Sequence, residues 1–78
     1  MAEINKKTFL IASIYYGNEK KLKELTELIN NLTDHDIEWI YDYYIETTGN
    51  KAGYYIQEIN DNGTNFSVTI ITARTFLR

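Results

Sequence analysis

Residues 36–48 read DIEWIYDYYIETT, and the conformation of this stretch decides the fold of the chain. Every odd position from 37 to 45 carries an apolar or aromatic side chain, which is the period-two pattern of a β-strand with one buried face. The stretch also holds three Tyr, one Trp, three Ile and two Thr, and these residue types favour strands over helices. We therefore predict a strand over residues 36–48.

A helix over the same residues is the alternative interpretation. It would gather five side chains into one apolar stripe: Ile37, Ile40, Tyr41, Tyr44 and Ile45. Thr33 and Asp36 would then resemble a capping box at the start of the helix. The helix would turn Trp39 and Tyr43 outward, and period two accounts for more of the residues, so the strand is preferred.

The residues after this stretch predict a β-hairpin. A loop over residues 47–53 leads into two apolar runs, residues 54–60 and residues 66–73. Asn62-Gly63 between the runs is a strong signal for a two-residue turn. Such a turn predicts three facing pairs: Ile59 with Phe66, Gln57 with Val68, and Tyr55 with Ile70.

The residues before this stretch predict one further strand and one helix. Residues 8–16 (TFLIASIYY) are largely apolar on both alternations, which is typical of a central strand buried on both faces. Gly17 and Asn18 predict a turn, with Asn18 as the N-cap of a helix over residues 19–32. Five side chains of that helix share one stripe: Leu22, Leu25, Leu28, Ile29 and Leu32.

In chain order these elements are β-α-β-β-β, which predicts an α+β fold. We expect a single small domain over residues 1–78, with a four-stranded, mostly antiparallel sheet and one helix packed on one face. The 78 residues include no Cys, so neither a disulfide nor a thiolate metal site can stabilise the chain. Regular secondary structure or self-association must supply that stability.

Residues 8–60 resemble the first half of an ACT-like or ferredoxin-like regulatory domain. The resemblance rests on the helix LKELTELI, on the Ile-x-Trp-Ile-Tyr sequence that begins at Ile37, and on the paired strand after Gly53. It implies the same element order and a small-ligand pocket that is built by dimerisation. The chain departs from such domains at Asn62-Gly63, where it turns directly into Phe66 without a second helix, and no ligand residue is transferred.

Charge is distributed unevenly along the chain. The net charge is -3, and residues 24–46 hold seven acidic residues without a single Lys or Arg. Nucleic-acid-binding surfaces are basic because they neutralise phosphates, so direct binding of nucleic acid is not expected. Glu38, Asp42 and Glu46 follow each other at intervals of four, which places them on one face of either a strand or a helix.

Few residues could carry covalent or metal chemistry. Ser13 and Ser67 lie in predicted strands, and the single His35 stands between Asp34 and Asp36. A nucleophile needs a base that a third group holds in place, and a metal site needs ligands that converge from several elements. We therefore expect neither an enzyme nor a bound metal or cofactor.

The sequence instead predicts a protein-binding surface. One helix covers only one face of a sheet, and monomers rarely expose a large apolar face. The predicted site combines the acidic strand with apolar side chains of the uncovered face: Asp36, Glu38, Ile40, Asp42, Tyr44, Glu46, Tyr54, Ile56 and Ile71. The expected partner is a basic protein, or a second copy of the chain in a homodimer.

The expected function is a non-catalytic protein-binding module. Its size and charge suggest, by analogy, a phage or mobile-element inhibitor of a nucleic-acid-handling host enzyme. The alternatives are an ACT-like ligand-sensing domain and a single-stranded RNA binder that stacks bases on tyrosines: Tyr41, Tyr43, Tyr54 and Tyr55. No apolar run reaches the roughly 20 residues of a membrane span, and the first residues lack the apolar core of a signal peptide, so we expect a cytoplasmic protein without a membrane partner.

Overall fold

The computed structural model describes residues 5–63 and 66–72, which form three helices followed by a β-hairpin. The elements are α1 (Lys6–Ala12), α2 (Glu19–Asn30), α3 (Asp34–Thr48), β1 (Tyr54–Asp61) and β2 (Phe66–Thr72). The predicted β-α-β-β-β order with a four-stranded sheet and one helix is therefore wrong. Within the described residues the sheet has two antiparallel strands, and the element order of an ACT-like domain does not occur there.

Residues 36–48 belong to helix α3, so the strand predicted for them is wrong and the helix alternative is confirmed. The helix buries Ile37, Ile40 and Tyr44 in the core, where a strand would have directed Ile40 and Tyr44 away from Ile37. Most of the stability of a helix in a protein comes from packing its apolar stripe. Burial of this stripe outweighs the weak helix propensity of the Tyr, Ile and Thr residues.

Both ends of α3 are capped by local hydrogen bonds. The Thr33 hydroxyl accepts a hydrogen bond from the Asp36 backbone N–H at 3.2 Å, as the capping interpretation predicts. Gly49 follows the last turn at φ 66°, and its N–H donates to the Ile45 carbonyl at 2.9 Å. Glycine adopts this left-handed conformation without a steric penalty, so the helix ends here.

The strand predicted over residues 8–16 is also wrong, because its first half belongs to helix α1. The Asn5 side chain caps this helix by accepting a hydrogen bond from the Thr8 backbone N–H at 3.0 Å. Leu10 of this helix is 0% exposed, and Ile14, two residues beyond the end of the helix, is 2% exposed. A run that is apolar at both its odd and its even positions therefore fits a helix as well as it fits a central strand.

The end of the same run keeps some strand character. Ile14 forms a parallel bridge with Ile56 of β1. The Ile56 N–H donates to the Ser13 carbonyl at 2.8 Å, and the Tyr15 N–H donates to the Ile56 carbonyl at 2.9 Å. The segment that links α1 to α2 therefore lies along one edge of β1.

The helix predicted over residues 19–32 is confirmed as α2, which ends at Asn30. Asn18 is its N-cap, and the Asn18 side chain accepts a hydrogen bond from the Lys21 N–H at 3.1 Å. The predicted stripe faces inward, and Leu25 and Ile29 are buried. A connection of three residues then leads directly into α3.

The two strands of the predicted hairpin are confirmed as far as residue 72, and residue 73 of the prediction lies outside the described residues; their register differs from the prediction. Asp61 pairs with Phe66, so four residues connect the strands instead of two. Gln57 is an extra residue in β1, which shifts the register between Ile56 and Glu58. The predicted pairs are replaced by others: Tyr55 with Ile71, Ile56 with Ile70, Glu58 with Thr69, and Ile59 with Val68.

The core lies between the three helices and the inner face of the hairpin. Its buried apolar side chains form one cluster: Leu10, Ile14, Leu25, Ile29, Ile37, Ile40, Tyr44, Ile56 and Ile59. Every described element contributes to this cluster except β2, whose inward residues are only partly buried. The outward face of α3 is left to solvent by this arrangement.

Candidate protein-binding surface

Helix α3 presents a stripe of exposed side chains on the side opposite the core. Trp39, Asp42, Tyr43 and Glu46 are spaced at i, i+3, i+4 and i+7, which places them on one helical face. We call these four residues the α3 outer face. They are all exposed, while the adjacent stripe of the same helix is buried.

Two aromatic rings form the centre of the α3 outer face. The Trp39 and Tyr43 rings are nearly parallel, with an interplanar angle of 5° and centroids 5.9 Å apart. Trp39 is 43% exposed and Tyr43 is 41% exposed. The paired rings therefore give the exposed side of α3 a large apolar surface that a partner could bury.

Acidic side chains surround these rings. Glu38, Asp42 and Glu46 are exposed, and Asp36 is partly buried near the start of the helix. Lys6 of α1 approaches Glu38, with the Lys6 Nζ 3.8 Å from Glu38 Oε1. Among the described residues, neither Asp42 nor Glu46 has a cationic group within ion-pairing distance.

The Lys6 ammonium group also lies 5.0 Å above the centre of the Tyr41 ring. Phe9 of α1 meets the edge of the same ring, with centroids 5.2 Å apart. Helix α1 therefore covers the flank of α3 that carries Tyr41 and Glu38. The α3 outer face lies beyond this flank.

The structure separates the predicted site residues into two groups. Ile40, Tyr44 and Ile56 are 0%, 5% and 0% exposed, so they belong to the core and not to an open sheet face. Tyr54 is partly buried, and its carbonyl accepts a hydrogen bond from the Tyr44 hydroxyl at 2.9 Å. Ile71 is partly buried in β2 opposite Tyr55. All four predicted acids lie in α3, where Glu38, Asp42 and Glu46 share one helical face at intervals of four and Asp36, two residues before Glu38, lies on a different side.

The predicted site omits Trp39 and Tyr43, although the helix alternative turns both side chains outward. Their separation by four residues is the signal that finds them, because residues four apart are neighbours on a helix. In the predicted strand the same two residues would lie about 13 Å apart, so the strand prediction gives no reason to pair them.

A second aromatic cluster lies on the outer face of the hairpin. The rings of Tyr15, Tyr16 and Tyr55 lie 6.0–6.4 Å apart. Tyr16 is 69% exposed, which makes it the most exposed large apolar side chain of the described residues. The tyrosines proposed as a base-stacking platform are divided between elements, since Tyr41 and Tyr43 lie on α3 whereas Tyr54 and Tyr55 lie on β1.

The described residues that could bind a metal or act as nucleophiles do not form a common site. His35 is exposed in the first turn of α3, and within the described ranges no three His, Asp or Glu side chains are close enough to hold a metal ion. The Ser13 hydroxyl donates to the Phe9 carbonyl at 2.8 Å, and Ser67 is exposed on β2. None of the helices described is long and apolar enough to cross a membrane.

Comparison of the chain with protein-family models, curated proteins and solved structures finds no match.

Proposed function

We propose that the protein is a small non-catalytic binding module that attaches to a basic surface of another protein through the α3 outer face. The observation that carries this proposal is the exposed, parallel Trp39–Tyr43 stack, which is flanked by Asp42 and Glu46, two acids with no ion-pair partner among the described residues. The proposal keeps the acids of the predicted site and replaces its buried apolar residues by these two rings.

Aromatic and acidic groups make different contributions to such binding. Trp and Tyr are enriched among the residues that dominate interface energies, because they bury a large area at a low cost in side-chain entropy. Acidic groups around them increase the rate of association with a basic partner and exclude acidic partners. A Trp–Tyr pair within a negatively charged rim therefore favours a partner that presents an apolar recess bordered by Lys or Arg.

The basic partner that we propose is a nucleic-acid-handling enzyme, with this protein as its inhibitor. Glu38, Asp42 and Glu46 are spaced by about 6 Å along the helix axis, since each residue rises about 1.5 Å. A DNA strand carries one phosphate per roughly 3.4 Å of axis, so the row of acids can substitute for alternate phosphates of one strand. The proposal includes a cytoplasmic location and origin in a phage or mobile element.

The proposal is tested by affinity capture from the source-cell lysate, with and without nuclease. The baits are the wild-type chain and D42N/E46Q, together with the control E24Q/E27Q, which removes the same charge from exposed positions of α2. We expect the wild type and the control to retain a basic protein that salt releases, and D42N/E46Q to retain at least about tenfold less. D42N/E46Q should unfold at the same temperature as wild type or higher, because like charges four residues apart repel each other.

The aromatic contribution is tested with the captured protein in purified form. Trp39→Ala should weaken binding by at least about tenfold, whereas Tyr16→Ala, which removes an exposed ring from the other cluster, should leave it unchanged. Equal loss in D42N/E46Q and E24Q/E27Q would show that only net charge matters, and loss of capture after nuclease treatment would show that nucleic acid mediates the contact. Either result would contradict the proposal.

A further inference from the structure

Three aromatic residues of helix α3 each have an exposed carboxylate three residues away along the chain. We call these pairs the aromatic–acid couples: Tyr41 with Glu38, Trp39 with Asp42, and Tyr43 with Glu46. Side chains three residues apart are neighbours on the surface of a helix, so each ring has a carboxylate beside it. A cation at such a couple is attracted by the charge of the carboxylate and by the negative face of the ring.

The first of these couples is occupied by a cation of the chain itself. The Lys6 Nζ lies 3.8 Å from Glu38 Oε1 and 5.0 Å from the centre of the Tyr41 ring. One ammonium group therefore contacts both members of the couple, at distances that suit an ion pair and a cation–π contact. The structure thus contains an internal example of a cation bound at an aromatic–acid couple of α3.

The other two couples form the α3 outer face and bind no cation of the described residues. Within that part of the chain, no Lys or Arg lies within ion-pairing distance of Asp42 or Glu46. The Trp39 and Tyr43 rings are 43% and 41% exposed, so a cation of a partner can reach both. The two couples are four residues apart, which is about 6 Å along the helix axis, so two cations of one partner can bind next to each other.

We propose that the basic partner binds the α3 outer face through two arginine side chains, one at the Trp39–Asp42 couple and one at the Tyr43–Glu46 couple. This inference rests on the proposed function and names the groups that the partner presents. Arginine suits these couples better than lysine, because its planar guanidinium stacks on an aromatic ring and donates two parallel hydrogen bonds to one carboxylate. The parallel Trp39 and Tyr43 rings provide flat faces of this kind. The two arginines must stand about 6 Å apart, which is the spacing of residues i and i+4 on a helix.

Binding of synthetic helical peptides tests the inference with groups of known chemistry. The probe is an alanine-based peptide of about 20 residues with arginines at two positions four residues apart. One control peptide carries lysines at the same positions, and a second moves one arginine to two residues from the other, which places the two on opposite sides of the peptide helix. Trp39 is the only Trp of the chain, so its fluorescence reports binding at the α3 outer face. At low salt the probe should bind the full-length protein at least about threefold more tightly than either control.

Two substitutions in the same row of acids separate the couples from net charge. Asp42→Asn and Glu38→Gln each remove one negative charge from an exposed position of α3, four residues apart. Glu38 already has Lys6 beside it, whereas Asp42 has no cation of the described residues within ion-pairing distance. We therefore expect Asp42→Asn to weaken binding of the arginine probe by at least about threefold and Glu38→Gln to weaken it by less than about twofold. Equal loss in the two variants, equal binding of the arginine and lysine peptides, or equal binding of the two arginine spacings would overturn the inference.

The peptide comparison and the lysate capture can fail separately. Capture of a basic protein that D42N/E46Q does not retain, together with equal binding of the arginine and lysine peptides, would support the proposed function and overturn the arginine inference. Selective binding of the arginine probe without capture of any basic protein would contradict the proposed function and support the preference of the α3 outer face for paired arginines.

Discussion

Tyr43 and Tyr44 are adjacent and chemically identical, yet the structure gives them opposite environments. Tyr44 is 5% exposed, its ring meets Phe9 with centroids 5.6 Å apart, and its hydroxyl donates to the Tyr54 carbonyl. Tyr43 is 41% exposed and stacks on Trp39. Consecutive residues on a helix point about 100° apart, so the helix directs one tyrosine to the core and the other to the binding surface.

This difference predicts unequal effects of the same substitution. Tyr44→Phe keeps the packed ring but leaves the Tyr54 carbonyl without its hydroxyl donor, so it should reduce the free energy of unfolding by about 0.5–1.5 kcal/mol. Tyr43→Phe removes an exposed hydroxyl and should change that free energy by less than about 0.5 kcal/mol. Urea unfolding of both variants measures the difference, and equal effects would show that Tyr44 is not the buried member of the pair.

At the scale of elements, the sequence predicted α2 and the two strands but misassigned α1 and α3. Asn18 and the leucine stripe identify α2 because a capping residue and a helical period agree with each other. In α3 the same residues fit both the period of two of a strand and the period of 3.6 of a helix. Only tertiary packing determines that Ile40 and Tyr44 are buried while Trp39 is not. The hairpin register was not predictable either, because the Asn62-Gly63 signal does not reveal a four-residue connection or the extra residue at Gln57.

The N-cap of α3 provides a test at this scale. Thr33→Ala removes the acceptor for the Asp36 N–H and should lower the free energy of unfolding by about 1 kcal/mol. Thr47→Ala is the matched control: Thr47 is exposed within α3, where Ala is the better helix former, so this variant should be unchanged or more stable by a few tenths of a kcal/mol. If residues 36–48 formed a strand, Thr33→Ala would have no cap to remove, and Thr47→Ala would become the more harmful of the two changes.

In the whole molecule, the arrangement of elements gives the two sides of helix α3 different chemistry. Its outer side carries the acids and the stacked rings, and its inner side packs on the core and on strand β2. The acidic segment and the Tyr-rich composition could be identified from the sequence, but the sequence placed both on one open sheet. The helices cover the inner face of the hairpin, so the proposed binding surface lies on a helix and not on an open sheet face.

The proposed binding surface depends on the conformation of residues 34–48 in the intact chain, because the α3 outer face exists only if these residues form a helix. Backbone chemical shifts of the labelled full-length protein, measured by NMR, test it most directly. We expect helical Cα shifts without interruption from Asp34 to Thr48, a boundary at Gly49, and contacts between the ring protons of Trp39 and Tyr43. Extended shifts across residues 37–45, with cross-strand amide contacts to residues 54–60, would contradict the account and restore the sheet predicted from the period-two pattern.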